Sequence, residues 1–259
     1  MSTPIRRAES SDAINEAMRS MLNFMKGSVQ KESKSSGRAA KASGRGICLY
    51  CEKEYAASGM TKHIRTCGAE HRQPGDAEYF MIRVTAADDP NFWMYVDVKK
   101  DASLRQLDQF LRDTWVECCG HMSAFTIGGE EYLSDASEGG YGMNAKLMKV
   151  LKNGSKFSYE YDFGTPTELK LQVVDEYTAK DRRKKAVPAA RNIMPKYQCV
   201  KCGKRAELVL RMGMEPIEDS VFCEECAMKE EYAESMLPLL NSPRTGLCGY
   251  GGWFGMDDE

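Results

Sequence analysis

Seven cysteines and one histidine fall into two sets spaced like metal ligands. The first is Cys48-x2-Cys51-x11-His63-x3-Cys67, and the second is Cys199-x2-Cys202-x20-Cys223-x2-Cys226. Zinc takes four thiolate or imidazole ligands in a tetrahedron, and a Cys-x-x-Cys knuckle presents two thiolates on one tight turn. His63 and Cys67 stand four apart, as neighbours on one helix face would. The expectation is two structural zinc ions, each closed by four protein ligands with no position left for a reactive water.

Cys118, Cys119, His121 and Cys248 remain. Cys118-Cys119-Gly120-His121 invites a reading as nucleophile or third metal site, but an amphipathic helix ending at a glycine accounts for Cys118 as core. Cys248 lies in Gly246-Leu247-Cys248-Gly249-Tyr250-Gly251-Gly252, which has neither the Gly-Lys-Ser/Thr ending nor the preceding strand of a phosphate loop. No Ser/His/Asp or paired-carboxylate constellation stands out, though His121 and Asp162 are the residues a hydrolase would use.

The first cluster resembles the classical zinc-finger family, with Cys67 in place of the last histidine and a loop one residue short. Tyr55 and Met60 occupy its small apolar core, and a helix should start at Ser58 or Gly59. The positions that read bases in such a finger are Ala56, Gly59 and Lys62 here. Alanine and glycine cannot hydrogen-bond base edges, so Lys62 and Arg65 are left as phosphate contacts. Reading of a specific duplex sequence is disfavoured.

Charge is segregated along the 259 residues although the formal net charge is only −2. From Lys26 to Arg45 six cations face Glu32 alone. From Lys180 to Arg205 ten cations, Arg182, Arg183, Lys184 and Lys185 among them, face Asp181. From Ala206 to Glu259 twelve acids face three cations. The basic runs are candidate phosphate contacts. The first twenty residues hold no apolar core or cleavage-like site, and no run reaches the roughly 18 apolar residues of a membrane span. A cytoplasmic chain whose cysteines hold metal, with no membrane partner, is therefore expected.

The elements that must carry these residues can be read from periodicity. Ser11–Lys26 has an amphipathic stripe, so 1–26 is expected to be an amphipathic helix, docked on its own protein or fraying in solvent, with a dimerisation or partner helix as the alternative. Residues 27–46 are expected to be a basic flexible linker, and 47–73 a CCHC finger. Residues 79–180 are expected to form one α+β domain. Phe80-x-Ile82-x-Val84 and Met94-x-Val96-x-Val98 alternate as strands around Asp88-Asp89-Pro90-Asn91. Ser103 and Gln106 form a capping box for a helix from Leu104 to Cys118, stopped by Gly120. Ala124–Ile127 turns at Gly128-Gly129 into Glu131–Leu133, Lys146–Leu151 is a short helix, and strands follow at Phe157–Phe163 and Leu169–Val173. A basic linker is expected over 181–197. A four-cysteine module is expected over 198–259, with a hairpin between its knuckles, a helix over Met228–Leu237 and an acidic, glycine-rich tail. The fold class is then α+β: a β-grasp-like sheet packed on one long helix, flanked by an N-terminal CCHC zinc finger and a C-terminal four-cysteine zinc ribbon or treble clef.

Trp93–Val98, the helix Leu104–Trp115, HMSAFTIGGEEYL (His121–Leu133) and FSYEYDFG (Phe157–Gly164) together resemble the plasmid Ri-type ORF-three-like family, which includes TnpR-like accessory proteins of insertion sequences. The resemblance spans Tyr79 to Tyr177. NSPRTGLCGYGG (Asn241–Gly252) is similar to the tail of a zinc-bearing bacterial and archaeal subset. The resemblance implies a compact α+β sheet domain, often encoded beside mobile elements, and implies no particular reaction. Many members continue Tyr-Asp-Phe-Gly with an Asp, a Trp and a His. Here Thr165, Thr167 and Leu169 stand instead, so an activity built on that acid and histidine is not expected. The leading expectation is a non-enzymatic zinc-binding accessory protein that binds nucleic acid with low sequence specificity and is linked to mobile elements. The alternatives are a protein-interaction adaptor and a hydrolase of unknown substrate.

Overall fold

The computed structural model describes residues 44–252 apart from Glu138. The expected helix over 1–26, most of the expected linker and the last seven residues of the acidic tail lie outside the described residues.

The chain begins with β1 (Arg45–Cys48), β2 (Glu54–Ala56) and helix α1 (Ala57–His71). Two long strands follow, β3 (Ala77–Ala86) and β4 (Trp93–Lys99), then α2 (Leu104–Leu111), β5 (Ser123–Ile127), β6 (Glu130–Leu133), β7 (Tyr141–Gly142) and α3 (Leu147–Val150). Next come β8 (Lys156–Tyr161), β9 (Thr167–Ala179) and β10 (Ala186–Asn192). The C-terminal part holds β11 (Leu208–Val209), β12 (Val221–Phe222), α4 (Glu224–Ala227) and β13 (Leu237–Pro238). Ten strands form one sheet in the order β2-β1-β10-β4-β3-β9-β8-β5-β6-β7, antiparallel except between β6 and β7. A three-stranded sheet, β12-β11-β13, is hydrogen-bonded separately, and its Val209 and Val221 join the main core. Among the described residues no helix is long and apolar enough to cross a membrane.

The large sheet carries a layer on each face, and β4 shows why. Side chains alternate along a strand, yet every residue of β4 is buried. Met94, Val96 and Val98 join Phe80, Ile82 and Val84 of β3 in the main core, under Leu104, Leu107 and Leu111 of α2. Trp93 and Tyr95 point the other way and join Met81, Val174 and Ala190 under Met60 and Ile64 of α1. The register alternates to match: Ile82 faces Val96 on one side, and Met81 faces Asp97 on the other. Two bulges, at Met81/Ile82 against β9 and at Pro188/Ala190 against β4, turn Val174 and Ala189 toward α1.

Several expectations therefore change. The sheet is larger than a β-grasp and rests on two helices, one per face. The first cysteine cluster is built into this sheet, because β1 pairs with β10. Gly46 permits that pairing, since a Cβ there would meet the Trp93 ring at 2.2 Å. Residues 186–192, expected in a linker, are the strand β10 between β1 and β4; Ala189 and Ala190 supply the small apolar residues that let α1 close over it. The expected helix from Leu104 begins with its capping box, Gln106 N–H to Ser103 Oγ (3.3 Å) and Ser103 N–H to Gln106 Oε1 (3.0 Å). It gives way at Arg112–Val116 to a π-turn, closed by Glu117 N–H to Arg112 O at 3.0 Å. Gly128 and Gly129, at φ +61 and +93, make the two-residue turn between β5 and β6. The helix expected over Met228–Leu237 does not form: α4 ends at Ala227, before that stretch, which holds only a 3-10 turn at Ala233–Ser235 and the first residue of β13. The described part of the glycine-rich tail packs inward: Arg244 and Thr245 are wholly buried, and Ser242 Oγ donates to Trp115 O at 2.6 Å.

Ile64 is wholly buried between α1 and the sheet. Ile64→Ala should lower the unfolding free energy by about 2–5 kcal/mol, the usual cost of a core cavity. Because α1 is a layer of the sheet fold, hydrogen exchange should show residues 45–71 opening together with β3, β4 and β10. An earlier, separate opening of 45–71 would contradict this architecture.

Candidate metal centres

The two knuckles share one backbone design. Cys48 N–H donates to Lys53 O (3.0 Å) and Glu52 N–H to Cys48 O (2.8 Å). Cys199 N–H donates to Lys204 O (2.7 Å) and Gly203 N–H to Cys199 O (2.9 Å). In both, the residue after the second cysteine is left-handed: Glu52 at φ +59 and Gly203 at φ +73. The turn aims both thiols of each knuckle to the same side.

Distances within each cluster fit a tetrahedral ion. In a tetrahedron with metal–sulfur bonds of about 2.3 Å, sulfurs stand about 3.8 Å apart. Cys48 and Cys67 sulfurs are 3.8 Å apart, and Cys51 Sγ is 3.5 Å from His63 Nε2. Cys202 and Cys223 sulfurs are 3.6 Å apart. One ligand atom from each of the four residues lies within 4.8 Å of the others, in Cys48/Cys51/His63/Cys67 and again in Cys199/Cys202/Cys223/Cys226. Both sets can hold a metal ion. Tyr55 stacks on the His63 ring at 3.6 Å between centroids and orients it, while His71 Nδ1 lies 2.8 Å from Cys67 O. Burial and the neighbouring Cys51 and Cys48 thiols push Cys67 up to about 12. Against its burial, the N–H groups of Cys223, Lys201 and Cys202 draw Cys199 down to about 6. These N–H donors favour thiolate, the form that binds metal.

The candidate phosphate contacts divide. Lys62, Arg183 and Lys184 reach the surface. Arg65 is exposed as well, and it donates through Nη2 to Val174 O of β9, tying α1 to the sheet. Lys185 pairs with Asp101 at 2.8 Å, and Arg182 lies 3.6 Å from Asp97 with its guanidinium over the Tyr79 ring. Asp97 is wholly buried, accepts from the Tyr50 hydroxyl and pairs with Arg72 Nη2 at 3.5 Å. Arg72 lies over the Tyr177 ring at 3.4 Å. Around this point a pocket of about 360 Å³ is lined by Tyr50, His71, Arg72, Tyr177, Lys180 and Arg182, with Gln73, Ala179 and Asp181 completing the wall. The sequence pattern holds no sign of Arg72, His71 or Tyr50 as lining residues, because the pocket exists only once α1 docks on the sheet.

The structure also gathers residues that the sequence leaves apart: Cys118, Cys119, His121 and Cys248 have ligand atoms within 4.8 Å of one another. Cys118 packs against the main core as expected, yet its sulfur receives the Arg244 guanidinium. Three spare thiols and a histidine outside the knuckles were the available signal.

Fold and site define a class, an α+β sheet protein whose cysteine groups can hold metal. Residues 78–211 match the family described as plasmid pRiA4b ORF-3-like protein, and the chain belongs to that family. A crystal structure of a protein of unknown function, MM3350 from Methanosarcina mazei Go1, matches 45% of this chain and 71% of its own at 15% identity and a TM-score of 0.39. No protein with a curated description matches.

Glu52 is exposed and holds in the first knuckle the left-handed conformation that Gly203 holds in the second. Glu52→Gly should stabilise the protein by about 0.5–1 kcal/mol, the left-handed penalty less the extra chain entropy of glycine. A denaturant midpoint that falls would contradict this.

Proposed function

We propose that this is a non-enzymatic, zinc-stabilised accessory protein of the cytoplasm that binds nucleic acid through phosphates and stacked bases, with little sequence preference. The observation that carries this reading is the pocket at the end of α1. There Arg72, Lys180 and Arg182 outnumber Asp97 and Asp181, and the rings of Tyr50, His71 and Tyr177 stand beside them. Arg182 Nε is buried and finds no hydrogen-bond partner among the described residues, a donor suited to a phosphate oxygen. Arg183 and Lys184 extend the positive surface outward. Cations interleaved with aromatic rings match the chemistry of single-stranded nucleic acid, where backbone charge and base stacking carry affinity. Zinc is the ion favoured by a set of four cysteines, or of three cysteines and a histidine, and its role here is structural. Cys48, Cys51, His63 and Cys67 hold one ion, and Cys199, Cys202, Cys223 and Cys226 another. The plasmid origin of the family description accords with a link to mobile elements.

A second reading, a protein-interaction adaptor, draws on the C-terminal module. Met212 is 79% exposed and Met228 74%, with Met214, Tyr232 and Val200 also in solvent. Methionine-rich surfaces adapt to protein partners.

Fluorescence anisotropy with single-stranded DNA, duplex DNA and RNA, repeated over a salt series, separates the two. The expected result is tightest binding to single strands, with log affinity falling linearly with log salt. Replacing Lys180, Arg183 and Lys184 by alanine should weaken binding and reduce the slope by about 2, since each lost phosphate contact removes about 0.7 on a single strand. These side chains lie at the surface, so the fold should survive. No binding at low salt would overturn the nucleic-acid reading and favour the adaptor.

A further inference from the structure

Each of the ten cysteines stands in one of three four-residue groups, and two of the three histidines complete the mixed ones. Two groups are the knuckle clusters. The third joins Cys118, Cys119 and His121, just after the π-turn, to Cys248, 127 residues beyond His121. We propose that this third group binds its own metal ion, a divalent cation of the zinc class, which staples the Asn241–Gly252 segment to the β5 side of the sheet.

The geometry is that of a ligand set. Cys119 and Cys248 sulfurs are 3.9 Å apart, and His121 Nε2 lies 3.3 Å from Cys248 Sγ. A sulfur–sulfur bond is about 2.05 Å long, so the thiols stand at the edge length of a metal tetrahedron and not at that of a disulfide. Cys248 takes a left-handed backbone, φ +47, between Gly246 and Gly249 at φ +77 and +69, and this tight path returns its sulfur to His121.

A buried cation stands against the group. Arg244 is wholly buried and donates to Cys118 Sγ from Nε (3.4 Å) and Nη2 (3.3 Å). The same guanidinium pairs with Asp162 at 2.7 Å, and the Asp162 carboxylate stands 3.6 Å from His121 Nε2. Tyr161 Oη accepts from the N–H groups of Cys118 and His121 (both 3.3 Å) and donates to Glu117 at 2.8 Å, fixing the loop that carries three of the ligands. Residues that orient ligands in this way are the usual outer layer of a metal site. Cys119 and Cys248 are exposed, which gives an ion a way in. On binding, the cation displaces the thiol protons to solvent and forms metal–sulfur and metal–nitrogen bonds, with no change in oxidation state.

The test is metal content of the full chain, measured by native mass spectrometry and elemental analysis, for wild type, Cys119→Ser/Cys248→Ser, Cys51→Ser and Cys202→Ser. The double variant alters only exposed thiols, so it should stay folded. It should carry one ion fewer than wild type, and hydrogen exchange should quicken in 241–252 while β3, β4 and β9 are unchanged. Equal metal content in wild type and the double variant would overturn the third site. So would a wild-type mass lighter by two hydrogens, from a Cys119–Cys248 disulfide. If instead Cys51→Ser or Cys202→Ser keeps the wild-type metal content while the double variant loses an ion, the third site stands and the corresponding knuckle reading falls.

Discussion

A single buried carboxylate explains much of how this chain is arranged. Asp97 lies in β4, the strand covered on both faces, and is inaccessible to solvent. A charge there is costly unless cations and hydrogen-bond donors gather round it. They come from three distant segments: the Tyr50 hydroxyl from the first knuckle, Arg72 from just beyond α1, and Arg182 from the basic run after β9. Meeting this one demand fixes the position of the knuckle, the end of the helix and the start of β10 relative to the sheet. It also draws two guanidinium groups and three rings into one place, and so creates the basic, aromatic pocket. The positive excess there results from over-compensating one buried acid.

The C-terminal segment is tied down by the opposite arrangement, a buried cation that needs acceptors. Arg244 finds Asp162, Thr165 O, Thr167 Oγ1 and the Cys118 sulfur. Asp162 is itself left-handed, at φ +66, and breaks the alternation of β8 where the sequence pattern would run on to Phe163. The two buried charges close long chain loops. The first cysteine group adjoins the apolar core under α1, whereas the second lies in a small apolar cluster of its own. Around Cys199 and Cys223 the cluster has only Phe222, Ala227 and Met236 as its fully packed apolar residues. Val209, Ile217 and Val221 of the same segment join the main core instead.

The sequence was most legible where local chemistry decides. The capping box at Ser103 and Gln106, the Gly128-Gly129 hairpin and the alternating strands β3, β4 and β8 follow from rules that act over a few residues. The knuckle spacing was legible because a Cys-x-x-Cys turn is a local object. Long-range demands were not legible. Residues 186–192 read as linker because Arg191 and Pro188 interrupt the apolar alternation, yet β1 and β4 each needed a partner strand. The Asn241–Gly252 stretch read as tail because glycines dominate it, although the glycines serve to turn Arg244 and Cys248 inward. Charge counting misled at 180–205 for a related reason. Arg182, Lys185, Lys201 and Lys204 have acidic partners brought close only by folding.

The same long-range packing limits how the first cluster can meet any partner. A finger that reads duplex DNA inserts its helix in the major groove and presents side chains along the exposed start of that helix. Here one face of α1 is spent on the sheet, through Met60, Ile64 and Cys67, and Arg65, though exposed, is tied to Val174 O. The outward positions near its start are Ser58, Gly59 and Lys62, only one of them a cation. A helix so placed cannot approach a groove on its own, because the β1–β10 pairing makes the whole sheet move with it. The end of α1 and the 180–182 stretch line one pocket and so belong to one surface.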